Sequence, residues 1–278
     1  MSYKIVADSC CEFPKECYGD VRFENVPLGL EVGEEVIMDD ADFDQSSFLR
    51  KVAASEKCPK SFCPSPEKFM EAYKTDAENV FVFTLSAKLS GSYNSAEIGR
   101  KLYLETYGHK NIFVCDSQSA SCGETQLAML AAKLSEEGLD FEEICRRLTK
   151  FRDGMNTYFV LDNLETLRKN GRLTGVKAFV ATTLNIKPVM GADTGEIIQL
   201  GQAIGTKKAL SKMVDYVVKE VVTPEEKTLM ITHCNCLKRA ESVKELILSK
   251  IKCKKVVIMD TRGVSSMYAN DGGVIVTI

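Results

Sequence analysis

Two continuous apolar runs, residues 79–85 (Asn-Val-Phe-Val-Phe-Thr-Leu) and 111–116 (Asn-Ile-Phe-Val-Cys-Asp), constrain the fold more than any other feature of the chain. Each is followed by small polar residues and then a helical pattern. Strands with no polar face are buried on both sides, and strands that feed helices pair in parallel, so these runs predict a covered parallel sheet. A shorter strand at residues 4–7 breaks at Asp8-Ser9-Cys10, with Pro14 soon after. Helices are predicted over residues 66–74, 92–106 and 121–137. The last has Leu127, Leu130, Ala131 and Leu134 at helical spacing and Gly138 as its stop. Asp140-Phe141-Glu142-Glu143 opens a further helix with acids in its first turn, and Asp153-Gly154 closes it.

The domain junction is placed there, giving units 1–153 and 154–278. In the second unit strands are expected at 157–161, 185–190, 197–200, 228–233, 255–259 and 274–278. Helices are expected up to Arg168 and over 207–222 and 237–251. The fold class is α/β, with a parallel sheet in the first domain and a mixed sheet, partly antiparallel, in the second. A chain of 278 residues, 45% hydrophobic and 27% charged, has ample material for two cores.

Composition removes several function classes. A formal charge of −3 provides no positive field for nucleic acid. No stretch approaches the roughly 20 apolar residues of a membrane span, and the start lacks the apolar region of a signal peptide, so a cytosolic protein is expected. Eleven cysteines, an odd number in a long chain without a secretion signal, fit reduced thiols better than disulfides. Cys234-x-Cys236 beside His233 is tighter than a zinc knuckle and has no second pair nearby, so no metal is expected. Nucleotide-binding glycine motifs are absent, and no cofactor is expected.

Catalytic groups are scarce too. Of two histidines, His109 sits in a polar turn and His233 ends an apolar strand. Ser90, His233 and Asp116 supply the residue types of a hydrolase triad, but Leu89-Ser90-Gly91-Ser92-Tyr93 lacks the first glycine of a nucleophile elbow. A serine-dependent acyl hydrolase or transferase stands as the alternative reading.

Hydroxyl-rich turns stand out instead, at Asp8-Ser9, at 60–66 (Lys-Ser-Phe-Cys-Pro-Ser-Pro), at 89–95 and at Asp116-Ser117-Gln118-Ser119. Turns that follow parallel strands gather at one sheet edge, where ligands bind. Singly, Ser65, Ser92 and Ser117 read as helix N-caps. Together, hydroxyls and free N–H groups at helix starts suit a carboxylate or phosphate.

In this order the turns resemble the DegV family of bacterial fatty-acid-binding proteins, whose reference case is the FakB subunit of fatty acid kinase. The likeness spans essentially the whole chain. It rests on Ile5-Val6-Ala7-Asp8-Ser9, Lys60-Ser61 through Pro64-Ser65-Pro66, Leu89-Ser90-Gly91-Ser92-Tyr93-Asn94-Ser95-Ala96 and Asp116-Ser117. Further matches are Leu161-Asp162-Asn163-Leu164 through Gly171-Arg172-Leu173, and Leu184-Asn185-Ile186-Lys187-Pro188-Val189. The resemblance implies a long-chain fatty acid in an apolar tunnel between the domains, its carboxylate held by hydroxyls and presented to a separate kinase, so that this chain is not the catalyst. By position, Ser61 takes the place of the family's usual threonine, Ser90 with the Gly91-Ser92 backbone matches the second motif, and Arg172 matches the glycine-arginine pair. Tyr268 stands where many members have a histidine. Ala203-Ile204-Gly205-Thr206-Lys207-Lys208 lacks an arginine associated with kinase docking, and Phe62-Cys63 replaces a more polar pair. A lipid-binding module with a different partner is therefore a second alternative.

Overall fold

The computed structural model describes residues 2–173 and 185–278, so Leu184, the first residue of the asparagine–lysine–proline segment, lies outside the described residues. The chain opens with β1 (Tyr3–Asp8), buried at every position, and β2 (Phe23–Val26) lies parallel beside it. A hairpin of β3 (Gly29–Val32) and β4 (Glu35–Met38) follows, then α1 (Gln45–Ala54) and β5 (Lys60–Phe62), which adds to the other edge of β3. None of β2 to β5 or α1 is among the expected elements. Strands this short carry too little pattern to read, and α1 fully buries only Phe48. Next come α2 (Pro66–Ala72), β6 (Asn79–Thr84), α3 (Ser92–Tyr107), β7 (Asn111–Asp116), α4 (Cys122–Glu136) and α5 (Phe141–Asp153). Asp140 starts α5 by accepting the Glu143 N–H at 2.8 Å.

The first half thus holds an all-parallel sheet in the order β2-β1-β6-β7, as the apolar runs predict, and an unexpected three-stranded antiparallel sheet, β4-β3-β5. The second half contains β8 (Thr157–Val160), α6 (Glu165–Lys169), β9 (Ile186–Asp193), β10 (Glu196–Ile204) and α7 (Thr206–Glu220). It continues through β11 (Thr228–His233), α8 (Leu237–Leu248), β12 (Lys255–Asp260), α9 (Gly263–Ala269) and β13 (Val274–Thr277). Its sheet, in the order β10-β9-β8-β13-β11-β12, is mixed: β11 and β12 run parallel and the other neighbours antiparallel. Helix α9, Gly-Val-Ser-Ser-Met-Tyr-Ala, is also absent from the expected elements because its small polar residues conceal the helical period.

Helix α4 joins the two halves. Leu127, Ala128, Ala131 and Leu134 pack with Ile5 and Phe81 of the parallel sheet and with Ile144 and Leu148 of α5. Its other face meets the mixed sheet, where the Gln126 amide donates to Thr277 Oγ1 at 3.1 Å and the Cys122 thiol approaches Met230 O at 3.7 Å. A second tie is the β9–β10 turn, whose Thr194 and Gly195 both have positive φ (49° and 83°), the signature of a tight primed hairpin. The Ser86 hydroxyl donates to Gly195 O at 2.7 Å, and a Cβ on Gly195 would lie 2.4 Å from Ser86 Oγ. Only glycine satisfies both the backbone angle and this approach. Among the described residues, no helix is long and apolar enough to cross a membrane.

Candidate functional site

The turns after β1, β6 and β7 meet the mixed sheet around one cavity of about 830 Å³, counting its mouth. From the first half it is walled by Leu28, Leu85, Leu89 and Ala120, and from the second by Phe159, Leu161, Leu167, Ile197, Val264 and Ile275. Phe159 and Leu161 point inward from the end of β8 while Tyr158 and Val160 join the core behind it, which is the alternation of a strand separating two apolar layers.

Four of the six residues singled out in the sequence, Ser61, Ser90, Arg172 and Tyr268, line this cavity. They come from four different segments. Ser61 is not in a turn after a strand of the parallel sheet; it sits on β5 opposite Leu30. Its hydroxyl is 3.1 Å from the Tyr268 hydroxyl. The Arg172 guanidinium lies over the Tyr268 ring, 6.0 Å from its centroid, and its Nε donates to Leu89 O at 3.1 Å. Burial pushes the Tyr268 phenol up, so it is a neutral donor, with Ser61 and Arg172 opposing that shift. The Ser61 and Tyr268 hydroxyls and the Arg172 guanidinium thus stand together on the wall of an apolar slot, donors whose chemistry suits a carboxylate.

Gly91 and Ser92 are not among the lining residues. Ser92 is fully buried as the first residue of α3 and its N–H donates to Ser90 Oγ at 3.2 Å, fixing that hydroxyl from behind. The cap assignments shift correspondingly. Ser65 occupies the cap of α2 without a side-chain bond, Gly91 rather than Ser92 caps α3, and Ser117 caps nothing, its hydroxyl closing a local turn with Ser119. The cap of α4 is Ser121, whose hydroxyl donates to Glu12 at 2.7 Å.

The residues proposed for a triad are held apart. His233 Nδ1 accepts the Cys236 N–H at 3.3 Å and faces Asp260 at 3.4 Å, while Asp116 accepts N–H groups of Ala87 and Gln118. Among the described residues no hydrogen bond links Ser90, His233 and Asp116. The Cys234 and Cys236 thiols lie against the Ser266 and Gly273 carbonyls. Asp162, from the asparagine-leucine motif, organises structure rather than the cavity: it receives Thr206 Oγ1 at 3.0 Å and Arg239 at 3.1 Å, and its carbonyl takes the Lys187 ammonium at 2.6 Å.

Sequence reasoning missed the buried acids behind the cavity. Asp39 accepts the Gly263 and Val264 N–H groups at 2.8 and 2.9 Å, and Glu12 accepts the Arg262 N–H at 3.2 Å. Together they fasten the start of α9, which carries Val264, Ser265 and Tyr268 into the cavity wall. An acid in an apolar stretch, such as Glu12 after Cys10-Cys11, was the available signal. Burial pushes Glu12 up to about 7, above its ordinary 4.5, despite the Ser265, Ser121 and Arg262 donors. Because the folded value exceeds the unfolded one, the fold binds this proton more tightly. The resulting stabilisation is complete below about pH 4.5 and is lost as pH rises through about 7, a change of about 3 kcal/mol. Denaturant titration between pH 5 and 8 is expected to show stability declining over this window, and Glu12→Gln is expected to flatten the decline. An unchanged slope in that variant would exclude Glu12 as its source.

Comparison with known proteins places this geometry. The family model described as "Uncharacterised protein, DegV family" matches residues 2–278. A DegV domain-containing protein of Streptococcus gordonii is 36% identical over 99% of this chain and 98% of its own length. The crystal structure of a DegV-family protein from Ruminococcus gnavus with vaccenic acid superposes with a TM-score of 0.97 at 49% identity, covering 100% of this chain and 99% of that one. The Streptococcus pneumoniae Fatty Acid Kinase (Fak) B3 protein loaded with linoleic acid superposes at 0.89 with 31% identity, over 100% of this chain and 99% of its own. With the family pattern matched end to end and the fold shared throughout, this chain belongs to the DegV family.

Proposed function

We propose that this protein binds a long-chain fatty acid in the cavity between units 1–153 and 154–278 and presents its carboxylate to a separate fatty acid kinase, itself doing no chemistry. The observation that carries this reading is a largely apolar slot in whose wall Ser61, Tyr268 and Arg172 touch one another, with Ser90 lining it next to Leu89, whose carbonyl Arg172 bonds. The relatives from R. gnavus and S. pneumoniae, which hold vaccenic and linoleic acid, support the ligand class.

The energetics agree. A sixteen-carbon acid has about 14 methylenes, whose burial at about 0.8 kcal/mol each gives roughly 11 kcal/mol against an association cost of about 4–15 kcal/mol. Tail burial therefore sets affinity. Hydrogen bonds to the charged head, about 1.5–3 kcal/mol each, set orientation. No cofactor is required, because the acyl phosphate would be made with ATP held by the kinase, and a kinase partner places both proteins in the cytosol. The name of the S. pneumoniae relative supports the kinase; the altered segment 203–208, with Ile204 exposed, keeps a different partner as the alternative.

The test is calorimetric titration of delipidated protein with oleate and palmitate. Ser61→Ala combined with Ser90→Ala is expected to weaken binding about tenfold to a hundredfold, the loss of one to two hydrogen bonds to a charged group. Unchanged affinity and ligand pose would show that these hydroxyls are not the anchors. Adding kinase and ATP to the loaded protein is expected to yield acyl phosphate; binding without product would favour the alternative partner.

A further inference from the structure

Behind the cavity wall lies an acid to which no N–H or O–H group of the described residues other than Asp8 is placed to donate. Glu124, in the first turn of α4, is fully buried, and neither of its carboxyl oxygens has a hydrogen-bond partner of ordinary donor type among the described residues. Its carboxyl group, the Asp8 carboxylate and the Cys10 sulfur lie within 4.8 Å of one another. Asp8 is placed differently: one oxygen accepts the Cys10 N–H at 3.1 Å and the other the Leu85 N–H at 3.0 Å. A buried carboxylate with two donors can hold its charge, whereas one with none is far more stable as the neutral acid. A carboxylic acid beside a carboxylate then supplies the missing hydrogen bond itself.

The groups facing this pair are all acidic or neutral. From the β1 end they are Cys10, Cys11 and Glu12, and from α3, Ser92. Further out, Asp39 and Arg262 stand beside Glu12. Among the described residues no lysine, arginine or histidine makes an ion pair or hydrogen bond with Asp8 or Glu124. The pair is also wired to the cavity. Ser92, whose hydroxyl faces Asp8, donates its N–H to Ser90 Oγ at 3.2 Å, and Cys10 itself lines the cavity with its sulfur 3.6 Å from Ser265 Oγ.

We propose that Glu124 carries a proton at neutral pH, shares it with Asp8 in a hydrogen bond, and so limits the charge of this pair behind the cavity to one unit rather than two. Glu124 is thus a positioning residue for ligand binding, and the inference rests on reading the cavity as a carboxylate site. Loss of the proton would set a second buried negative charge near Ser90, repelling an anionic head group and weakening its hold as pH rises. Burial and the adjacent Asp8 charge both push Glu124 well above the carboxylate range, in accord with the geometry.

Two measurements test it, one of them independent of ligand. Infrared difference spectra at pH 7.5 between the wild type and Glu124→Gln are expected to show loss of one protonated-carboxyl carbonyl band, since glutamine keeps the donor and removes the acid. Absence of that band in the difference spectrum would overturn the proposal even if no lipid binds. Oleate affinity measured from pH 6.5 to 9.5 is expected to fall about tenfold in the wild type, the effect of about one pKa unit of coupling, and to stay flat in Glu124→Gln. The same alkaline fall in both proteins would overturn the link between Glu124 and the cavity. Failure of either protein to bind oleate at any pH would instead count against the proposed function, leaving the infrared result to decide the proton.

Discussion

Ala192→Trp is expected to abolish fatty acid binding while leaving the protein folded. Ala192 sits on β9 with its methyl group lining the cavity, one strand turn before the Thr194-Gly195 hairpin. An indole there fills space assigned to the ligand's tail, and a strand accepts an aromatic residue readily. Displacing about four methylenes at about 0.8 kcal/mol each removes roughly 3 kcal/mol, more than a hundredfold in affinity. Filling a void in the folded protein stabilises it if anything, so the melting temperature is expected to hold or rise. Oleate binding within about threefold of the wild type in a folded Ala192→Trp protein would mean that the tail lies elsewhere.

The second large effect concerns stability. Asp39→Ala is expected to lower unfolding free energy by about 3 kcal/mol, because it strips two buried N–H groups of their acceptor at about 1–3 kcal/mol each. Those groups, on Gly263 and Val264, begin α9, and Asp39 lies on the segment after β4, so the bonds also clamp the two halves together. Gly263→Ala is expected to act through the same contact, since an added Cβ would meet Asp39 Cγ at 2.4 Å. As α9 also carries Tyr268, ligand affinity should fall together with stability in the Asp39 variant. Urea denaturation measures the first and titration the second; a stability change below about 1 kcal/mol would show that water replaces the lost acceptor.

What the sequence disclosed follows its pattern strength. Residues 80–83 and 112–115, uniformly apolar, specify buried parallel strands, and Leu127, Ala131 and Leu134 specify the inner face of α4. The β3–β4–β5 sheet went unread because strands of three and four residues do not establish a period. Half the interest of Ser61 was lost with it, since its reach toward Tyr268 depends on that sheet. For the site, the residue types at the mouth were legible through resemblance, whereas the wall was not. Leu85, Phe159, Leu161 and Ile197 look like ordinary core residues in sequence, and only the packing of two sheets leaves the space between them open. Glu12, Asp39 and Glu124 were illegible for the opposite reason. Charged residues are expected at the surface, and apart from the apolar neighbours of Glu12 no local pattern marks these as fully buried.

Native mass spectrometry of the protein as purified, paired with analysis of its organic extract, tests the central claim most directly. The expected spectrum shows the chain carrying one added mass, which the extract identifies as a long-chain fatty acid, and delipidated protein regains one equivalent when offered oleate. A spectrum of bare chain, an extract without acyl species and no uptake of oleate or palmitate would contradict it.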